Sequence, residues 1–332
     1  MVWNAPPDSG LIGHSREEVR AYRAADFDAL YALIVGPDGR LMTRRGLMEH
    51  LNSPTLNAAT DVFVLGRSDG AGLAGVRDVR LTGRGDESEP IFESWGVLSD
   101  DAPPGAFDEL LRAAVTRASA IIRQRGASRG MLQTRCDTRD TATRQALEAN
   151  GLRSVRELWT IVRPTLDGVV EPRFPAEIQV RPYRFGEESA WVAAFNDAFA
   201  DHFGGWMGMS LAVWTRYIAS PTFKTDISLV AWDGTIEQIA GFGHFRIDDE
   251  LNALRGRHQG MMRYIGVRPA WRRRGLARAL TRAGLLALRD HGMESCVSGV
   301  DGTNATGAHT LYLEEGFEIY ERELLYRISL AG

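Results

Sequence analysis

Three consecutive arginines stand directly before a glycine in the stretch VRPAWRRRGLARAL, residues 267–280. Pro269 ends a strand candidate because proline supplies no hydrogen bond to a β-ladder, and from Leu276 onward apolar residues recur at helical spacing. Gly275 and Ala277 therefore fall in the first turn of a helix, where unpaired backbone N–H groups and the helix dipole favour an anion. Because the arginines would add charged hydrogen bonds, the stretch predicts a phosphate-binding loop.

A solvated basic turn is the alternative, and a bare run of arginines before a glycine would favour it. The full pattern, V-x-P-x-x-R-x-x-G-x-A, is more restrictive, and it lies between a strand and a helix as a phosphate loop should. A second unusual run, NATGAHTLYLEEGF, follows at residues 304–317.

These two stretches resemble the two signatures of the GNAT superfamily of N-acetyltransferases. The first matches the acyl-coenzyme A signature R/Q-x-x-G-x-G/A at Arg272, Gly275 and Ala277. The second matches N-x-x-x-A-x-x-L-Y-x-x-x-G-F at Asn304, Ala308, Leu311, Tyr312, Gly316 and Phe317. The resemblance implies an α+β fold with a mixed, mostly antiparallel sheet flanked by helices. It also implies transfer of an acetyl group from the cosubstrate acetyl-CoA to a primary amine, by direct attack of the amine.

The resemblance further implies roles for individual residues. The pantetheine arm of acetyl-CoA is expected along the strand that ends at Val267, beside Ile265 and Gly266. The other residues expected at the cofactor are Arg272, Arg273, Arg274, Gly275, Leu276, Ala277, Asn304 and Ala308. Asn304 could instead cap the helix that follows it. Tyr312 is expected to protonate the leaving thiolate or to donate a hydrogen bond to it, with a plain core role as the alternative.

The base that takes a proton from the amine has a weaker signal. Many relatives carry a glutamate on the strand that leads to the loop, whereas residues 261–264 read Met-Met-Arg-Tyr. Asp301, at the end of the strand before the second signature, is the candidate closest to the expected site. Further candidates are Asp248, Asp249, Glu250, His244 and His258, and a chain of water molecules is an alternative to all of them.

The stretch FADHFGGWMGMSLAVW, residues 199–214, is rich in aromatic residues, methionine and glycine. In the fold that the resemblance implies, the connection between the first two helices forms a wall of the acceptor site. We therefore expect His202, Phe203, Trp206 and Trp214 to bind substrate, with ordinary core packing as the alternative. An aromatic wall does not identify the amine: an antibiotic, a polyamine, a thiol precursor and a protein lysine all fit.

The elements that must position these residues occur twice along the chain. A proline-containing stretch without an apolar period predicts a linker at 166–176. On each side of it a strand, 91–97 or 261–267, precedes a helical pattern that a glycine closes. We therefore expect two tandem GNAT-like domains at 1–165 and 177–332, the second of them catalytic. This layout resembles mycothiol synthases and related two-domain transferases in architecture alone.

The first half lacks the features of a phosphate loop. Its corresponding stretch reads VLSDDAPPGAF, residues 97–107, so that alanine and two prolines replace the arginines and two aspartates add negative charge. Phe107 stands where the second half has Ala277, and Leu147 stands where it has its tyrosine. Glu93 is retained on the strand, but a carboxylate without a cofactor loop is weak evidence of a site. We expect this domain to be degenerate and non-catalytic.

Composition narrows the class of protein further. A net charge of −4 and a pI of about 6.0 argue against a nucleic-acid binder. Two cysteines, Cys136 and Cys296, form no disulfide framework, and no run has the length of a membrane-spanning helix or the pattern of a signal peptide. We expect a cytoplasmic enzyme, monomeric or homodimeric and without a metal, that acts on a small-molecule or peptide amine. A non-catalytic acyl-CoA sensor is the alternative.

Overall fold

The computed structural model describes residues 18–35, 42–67, 70, 72–84, 89–201, 208–303 and 307–332. Within them the strands are β1 (Val19–Ala21), β2 (Val62–Gly66), β3 (Leu73–Asp78), β4 (Arg80–Arg84), β5 (Pro90–Glu93), β6 (Gly96–Leu98), β7 (Arg129–Asp137), β8 (Arg153–Arg163), β9 (Ile178–Pro182), β10 (Leu229–Asp233), β11 (Gln238–Ile247), β12 (Gln259–Val267), β13 (Ser295–Asp301) and β14 (Glu318–Ala331). The α-helices are α1 (Phe27–Val35), α2 (Arg44–Leu51), α3 (Ala58–Asp61), α4 (Ala106–Gln124), α5 (Thr141–Ala149), α6 (Glu188–Ala198), α7 (Leu211–Ile218), α8 (Asp249–Arg255), α9 (Leu276–Asp290) and α10 (Ala308–Glu314).

The described residues group into two compact units. The first contains those up to Val155 together with Glu323–Gly332, and the second contains those from Arg156 to Arg322. This division differs from the predicted domain limits at 165 and 177, because the last strand of each half pairs within the other unit. The predicted linker contains no helix or strand, and Leu166 from it is buried in the core of the second unit.

The first unit is built on two sheets. In one, β2 pairs antiparallel with β1 and β3, and β3 pairs antiparallel with β6. In the other, β5 pairs antiparallel with β4 and parallel with β7, and β7 pairs antiparallel with the end of β14. The helix α4 supplies the apolar face that covers them; its buried residues are Ala106, Leu110, Leu111, Ala114, Val115, Ala118 and Ile122. Their spacing of three and four residues places them on one side of the helix.

The second unit has one sheet in the order β9-β10-β11-β12-β13-β8. All neighbours are antiparallel except β12 and β13, which run parallel. Successive residues of a strand point to opposite faces, and β11 shows which helix covers which face. Gly241 lies against Leu276 and Leu280 of α9, whereas the ring of Phe242 stacks on Phe195 of α6. The helix α9 therefore covers one face and α6 the other. The predicted mixed, mostly antiparallel sheet with flanking helices is confirmed.

Candidate functional site

The loop between β12 and α9 exposes a row of backbone donors. Arg273 and Gly275 both have left-handed backbone conformations, with φ of 64° and 79°. Within the described residues, the N–H groups of 273–277 donate to no backbone carbonyl. A Cβ added at Gly275 would meet no atom within 4 Å, so the space in front of the helix start is open. An anion can therefore approach these N–H groups and the positive end of a 15-residue helix.

Arg272 holds this loop in place. Its Nε donates to the carbonyl of Val267 at 3.2 Å, its Nη1 to Asp201 at 3.1 Å, and its Nη2 to the carbonyl of Ala198 at 3.1 Å. These contacts join the end of β12 to the end of α6. With all three nitrogens engaged, the side chain orients the loop and its backbone donors.

The other two arginines of the run differ from each other. Arg274 forms an ion pair with Glu177, on the segment before β9. Arg273 is exposed, and no ion pair joins it to a described residue. Of the three guanidinium groups that the sequence analysis placed at a phosphate, the one at Arg273 is therefore available for it in this arrangement.

The strands β12 and β13 diverge in front of this loop. Their parallel pairing runs from Gln259 and Ser295 to Met262 and Ser298, and no later pair joins them. Ser298 closes the last pair, because its hydroxyl donates to the carbonyl of Met262 at 2.8 Å. At the same level β12 contains a bulge: Met262 and Tyr264 have partners on β11, and Arg263 between them is the extra residue.

Beyond the bulge, Ile265, Gly266 and Val267 pair with β11 on one side only. On the other side no strand among the described residues covers them. Gly266 has no room for a side chain, because an added Cβ would clash with the ring of Phe242. These three residues form the open strand edge on which the sequence analysis placed the pantetheine arm.

Tyr312 lies on α10, half-buried against the core of the second unit, with its ring edge-on to Phe317 at 5.9 Å. Burial raises the pKa of its phenol to about 12. The hydroxyl is therefore neutral at physiological pH and carries a proton that it can donate. No hydrogen bond joins this hydroxyl to another described residue.

Two further residues expected at the cofactor lie at helix starts. Ala308 begins α10, and Leu276 at the start of α9 is buried in the core.

Asp301 is a structural residue in this arrangement. One carboxylate oxygen accepts from Arg156 at 2.7 Å, and the other accepts from the N–H and hydroxyl of Thr303 at 3.0 and 2.8 Å. Its side chain is only 8% exposed. Both carboxylate oxygens at the end of β13 are thus engaged within the fold. The structure therefore does not support the catalytic role expected for Asp301.

The other candidate bases are also tied into the fold. Asp248 caps α8 by accepting from the N–H of Leu251 at 3.0 Å, and Asp249 pairs with Lys224 at 3.3 Å. His244 is buried, and its Nδ1 lies 3.1 Å from the hydroxyl of Ser228. Burial, together with the charges of Arg246 and Arg263, holds the pKa of His244 well below its usual value.

Trp214 is a core residue, so its expected place in an acceptor-site wall is wrong. It is fully buried, stacks on Trp191 with ring centroids 3.5 Å apart, and donates from Nε1 to the hydroxyl of Tyr183 at 3.2 Å. Its apolar surroundings and satisfied N–H explain the burial. The remaining expected residues His202, Phe203, Trp206 and Asn304 lie outside the described residues.

A cluster that the sequence analysis did not single out lies on the α6–α7 face of the sheet. The hydroxyl of Tyr217, on α7, accepts hydrogen bonds from Nη1 of Arg246 at 3.1 Å and from Nε of Arg263 at 3.0 Å. Burial alone would raise the pKa of Tyr217, but the two guanidinium charges outweigh it and lower the pKa. The available sequence signal was an arginine inside each of two mostly apolar strands.

The first unit keeps the turn but not the donors. Gly105 precedes α4 with φ of 87°, as Gly275 precedes α9. The two residues before it are Pro103 and Pro104, which have no N–H to offer. Asp101 places a carboxylate at this loop, bound to Arg67 by contacts of 2.6 and 2.7 Å. The loop therefore presents fewer donors and more negative charge than its counterpart.

Comparison with known proteins gives one family and a group of relatives. Residues 224–319 match the acetyltransferase (GNAT) domain model. The chain is 31% identical over 201 residues to a mycothiol acetyltransferase of Thermobifida fusca (strain YX). The aligned region covers 56% of this chain and 62% of that protein. It is also 31% identical over 179 residues to the mycothiol acetyltransferase of Catenulispora acidiphila, covering 54% of this chain and 55% of that one. The matches thus span little more than half the length of these curated relatives.

Solved structures show the same fold over nearly the whole chain. A GCN5-related N-acetyltransferase from Sphaerobacter thermophilus superimposes with a TM-score of 0.72 at 22% identity, covering 95% of this chain and 96% of that one. A tandem GNAT protein from the clavulanic acid biosynthesis pathway gives a TM-score of 0.67 at 14% identity, covering 94% and 98%. Both comparisons show that the shared fold extends over nearly the whole chain, and the second is with a protein described as a tandem GNAT protein.

No group of histidine, cysteine, aspartate and glutamate in the described ranges is arranged to hold a metal ion. None of the helices in that part of the chain is both long and apolar enough to cross a membrane.

Proposed function

We propose that the second unit transfers an acetyl group from acetyl-CoA to the primary amine of a small molecule, since residues 224–319 match the acetyltransferase (GNAT) domain model. One observation carries this proposal: the unpaired N–H groups of 273–277 face open space at the start of α9. The strand edge 265–267 leads to that loop, beside the divergence of β12 and β13. Curated relatives named mycothiol acetyltransferases favour a small-molecule acceptor.

The residues present fit acetyl-CoA. The N–H row and the Arg273 guanidinium match the charge and the hydrogen-bonding needs of a pyrophosphate. The one-sided edge of Ile265, Gly266 and Val267 offers backbone groups to an extended amide-containing arm, as a sheet edge does to an added strand. When bound, acetyl-CoA supplies a thioester, whose carbonyl an amine can attack directly.

The chain contributes orientation and a proton. Fixing the donor along the β12 edge brings the reacting groups together, which lowers the entropic part of the barrier. The Tyr312 hydroxyl keeps its proton at neutral pH because burial raises its pKa to about 12. It passes this proton to the departing sulfur and regains one from the water that takes the proton of the amine. Removal of the proton from the amine is assigned to water, since the carboxylate proposed for it, Asp301, is held by Arg156 and Thr303.

We assign the first unit a non-catalytic role within this proposal. Its turn at Gly105 lacks two N–H groups because of Pro103 and Pro104, and Asp101 adds a negative charge there. Leu147 stands where the second unit has Tyr312, and it is buried in the core. The buried free thiols Cys136 and Cys296 are consistent with a reducing compartment such as the cytoplasm.

Calorimetric titration with acetyl-CoA tests the cofactor loop. Gly275→Glu places a carboxylate and a strained left-handed residue in front of the N–H row, so it should weaken binding at least 100-fold or abolish it. Gly105→Glu is the matched control, because Gly105 has nearly the same φ before α4 and carries the same backbone strain. It should leave one site per chain with unchanged affinity. Equal loss in both variants, or absence of binding in the wild type, contradicts the proposal.

A further inference from the structure

Two arginines converge on one phenol oxygen in the second unit. We call Tyr217, Arg246, Arg263 and Tyr264 the arginine cluster. Besides the hydrogen bonds to Tyr217, the Arg246 guanidinium lies 4.9 Å from the centroid of the Tyr217 ring, and that of Arg263 lies 5.1 Å from the centroid of the Tyr264 ring. Arg246 also donates from Nε to the hydroxyl of Thr222 at 2.8 Å. Every partner of the two guanidinium groups named here is thus a neutral side chain.

The bulge in β12 creates this cluster. His244 pairs with Tyr264 and Phe245 pairs with Met262, so Arg263 has no partner of its own on β11. An extra residue shifts the alternation of side chains, which allows Arg263 and Tyr264 to point to the same face. Phe245 points to the other face, against Gly284 of α9. Both arginines therefore lie on the α6–α7 face.

The positive charge of the cluster is not compensated. Neither Arg246 nor Arg263 forms an ion pair with a carboxylate of the described residues, whereas Arg272, Arg274 and Arg282 in the same unit all do. Two guanidinium groups that share one acceptor oxygen repel each other. An anion bound between them would remove that repulsion and gain charge-assisted hydrogen bonds.

The cluster lies at the far end of the open strand edge from the phosphate loop. Arg263 directly follows Met262, the last residue of β12 that pairs with β13. Val267 lies four positions further along the chain, which corresponds to about 13 Å along a strand. Arg263 is exposed to solvent, so a molecule can reach it. If acetyl-CoA is anchored at 273–277 and runs along this edge, its reactive end lies towards the cluster.

We propose that the arginine cluster binds an anionic group of the acceptor, so that the substrate is a primary amine carrying a carboxylate or a phosphate. This inference rests on the proposed acetyl transfer. It defines the substrate class, because it disfavours neutral amines and polycationic polyamines. Arg263 and Arg246 would contact the anionic group and leave the amine directed towards the strand divergence.

Matched acceptors test this assignment with acetyl-CoA as the donor and released thiol as the readout. One pair is 4-aminobutyrate and its neutral amide, and the other is phosphoethanolamine and ethanolamine. Wild type should prefer an anionic member, and the pair that shows the preference identifies the group as carboxylate or phosphate. Arg263→Gln should raise KM for that member by about 10- to 100-fold and change KM for its neutral partner less than about twofold.

Two variants complete the comparison. Arg246→Gln should have the same selective effect as Arg263→Gln. The control is Arg289→Gln, which removes one positive charge from an exposed residue at the end of α9 and should leave both KM values unchanged. Equal KM values for the anionic and neutral members in wild type, or an equal loss for both in Arg263→Gln, would overturn the subsite and leave the acetyl transfer standing.

A second measurement tests the cluster without turnover. Acetate and inorganic phosphate are titrated separately into the protein, and tryptophan fluorescence is followed, because Trp214 lies 6.1 Å from Tyr217 between ring centroids. A saturable change that Arg263→Gln abolishes supports the subsite. Identical titrations of wild type and variant overturn it. Failure of the proposed acetyl transfer would show itself separately, as absence of acetyl-CoA binding in calorimetry.

Discussion

Arg282 of α9 and Glu315 at the end of α10 form an ion pair with two hydrogen bonds. Nε and Nη2 of the arginine donate to the two carboxylate oxygens at 2.8 and 2.9 Å. The Glu315 side chain is 6% exposed and that of Arg282 is 21% exposed. Because α9 begins at the proposed phosphate loop and α10 carries Tyr312, this pair fixes the tyrosine relative to the loop.

Glu315→Gln should therefore reduce both stability and turnover. Removing the charge leaves Arg282 with a weaker partner in a largely buried place, which should cost about 2 kcal/mol of unfolding free energy. The neighbouring Glu314 is 53% exposed and pairs with Arg278, so Glu314→Gln should cost less than about 0.5 kcal/mol. Urea denaturation measures the unfolding free energy of both variants. Equal losses in the two would show that burial of the Arg282–Glu315 pair does not determine its contribution to stability.

Tyr312→Phe distinguishes the proposed acetyltransferase from the alternative, a non-catalytic acyl-CoA sensor. It removes only a hydroxyl, so the affinity for acetyl-CoA should be unchanged while kcat falls by about 100-fold or more. Since burial raises the pKa of Tyr312 to about 12, loss of its proton should not limit the wild-type rate below about pH 11. Tyr320→Phe, at a residue 73% exposed, is the control and should retain full kcat. Binding without turnover in wild type, with every amine tested, would favour the sensor.

The loop could be predicted from the sequence because its information is local. Pro269, Gly275 and the spacing of apolar residues from Leu276 define a strand end, a turn and a helix start within a few residues. The structure shows these elements in that order, with Gly275 in the left-handed conformation that glycine tolerates. The same locality allowed the replacement of the arginines by Ala102, Pro103 and Pro104 in the first half to be recognised.

Features that depend on distant partners could not be predicted. Arg272 contacts Asp201, 71 residues away, and that contact decides that its charge is used within the protein. The bulge at Arg263 follows from the register with β11, which no pattern within β12 reveals. Burial of Trp214 depends on its stacking with Trp191, and an aromatic residue on a helix looks the same in sequence whether it lines a pocket or a core.

His291 should make stability depend on pH. Its Nδ1 lies 2.9 Å from the carbonyl of Ala287 and its Nε2 lies 2.8 Å from Asp226. The hydrogen bond to Ala287 and, after it, the pair with Asp226 raise the pKa of His291 despite partial burial. Because the pKa of His291 is higher in the folded than in the unfolded state, protonation of His291 stabilises the fold. This stabilisation is complete below the unfolded pKa, about 6.5, and is lost as pH rises through the folded pKa.

The comparison of His291→Gln with wild type checks this pH dependence. The difference in unfolding free energy should be larger at about pH 5.5 than at about pH 9, because only the protonated imidazole donates from both nitrogens. His258→Gln, at an exposed histidine, serves as the control for the replacement of an imidazole by an amide. A difference that is the same at both pH values would assign His291 a packing role alone.

Tyr326 should stabilise the first unit although it lies near the end of the chain. From Glu323 to Ala331, β14 pairs with β7, and Tyr326 lies opposite Thr134. Its ring is fully buried in the core that α4 covers, and its hydroxyl donates to Glu148 at 2.9 Å. Tyr326→Ala leaves a cavity in this core, so it should destabilise this unit by about 3–5 kcal/mol.

Hydrogen exchange read by mass spectrometry locates that effect. In Tyr326→Ala, peptides from β7 and α4 should exchange faster, whereas peptides from β11 and β12 should be unchanged, because Tyr326 belongs to the buried core of the first unit. Tyr320→Ala, in the part of β14 that belongs to the second unit, replaces a residue 73% exposed and should leave both sets unchanged. Faster exchange in β11 and β12 alone would mean that residues 323–331 of β14 pack in the second unit instead of the first. That result would contradict the pairing of β14 with β7, on which the division into units depends.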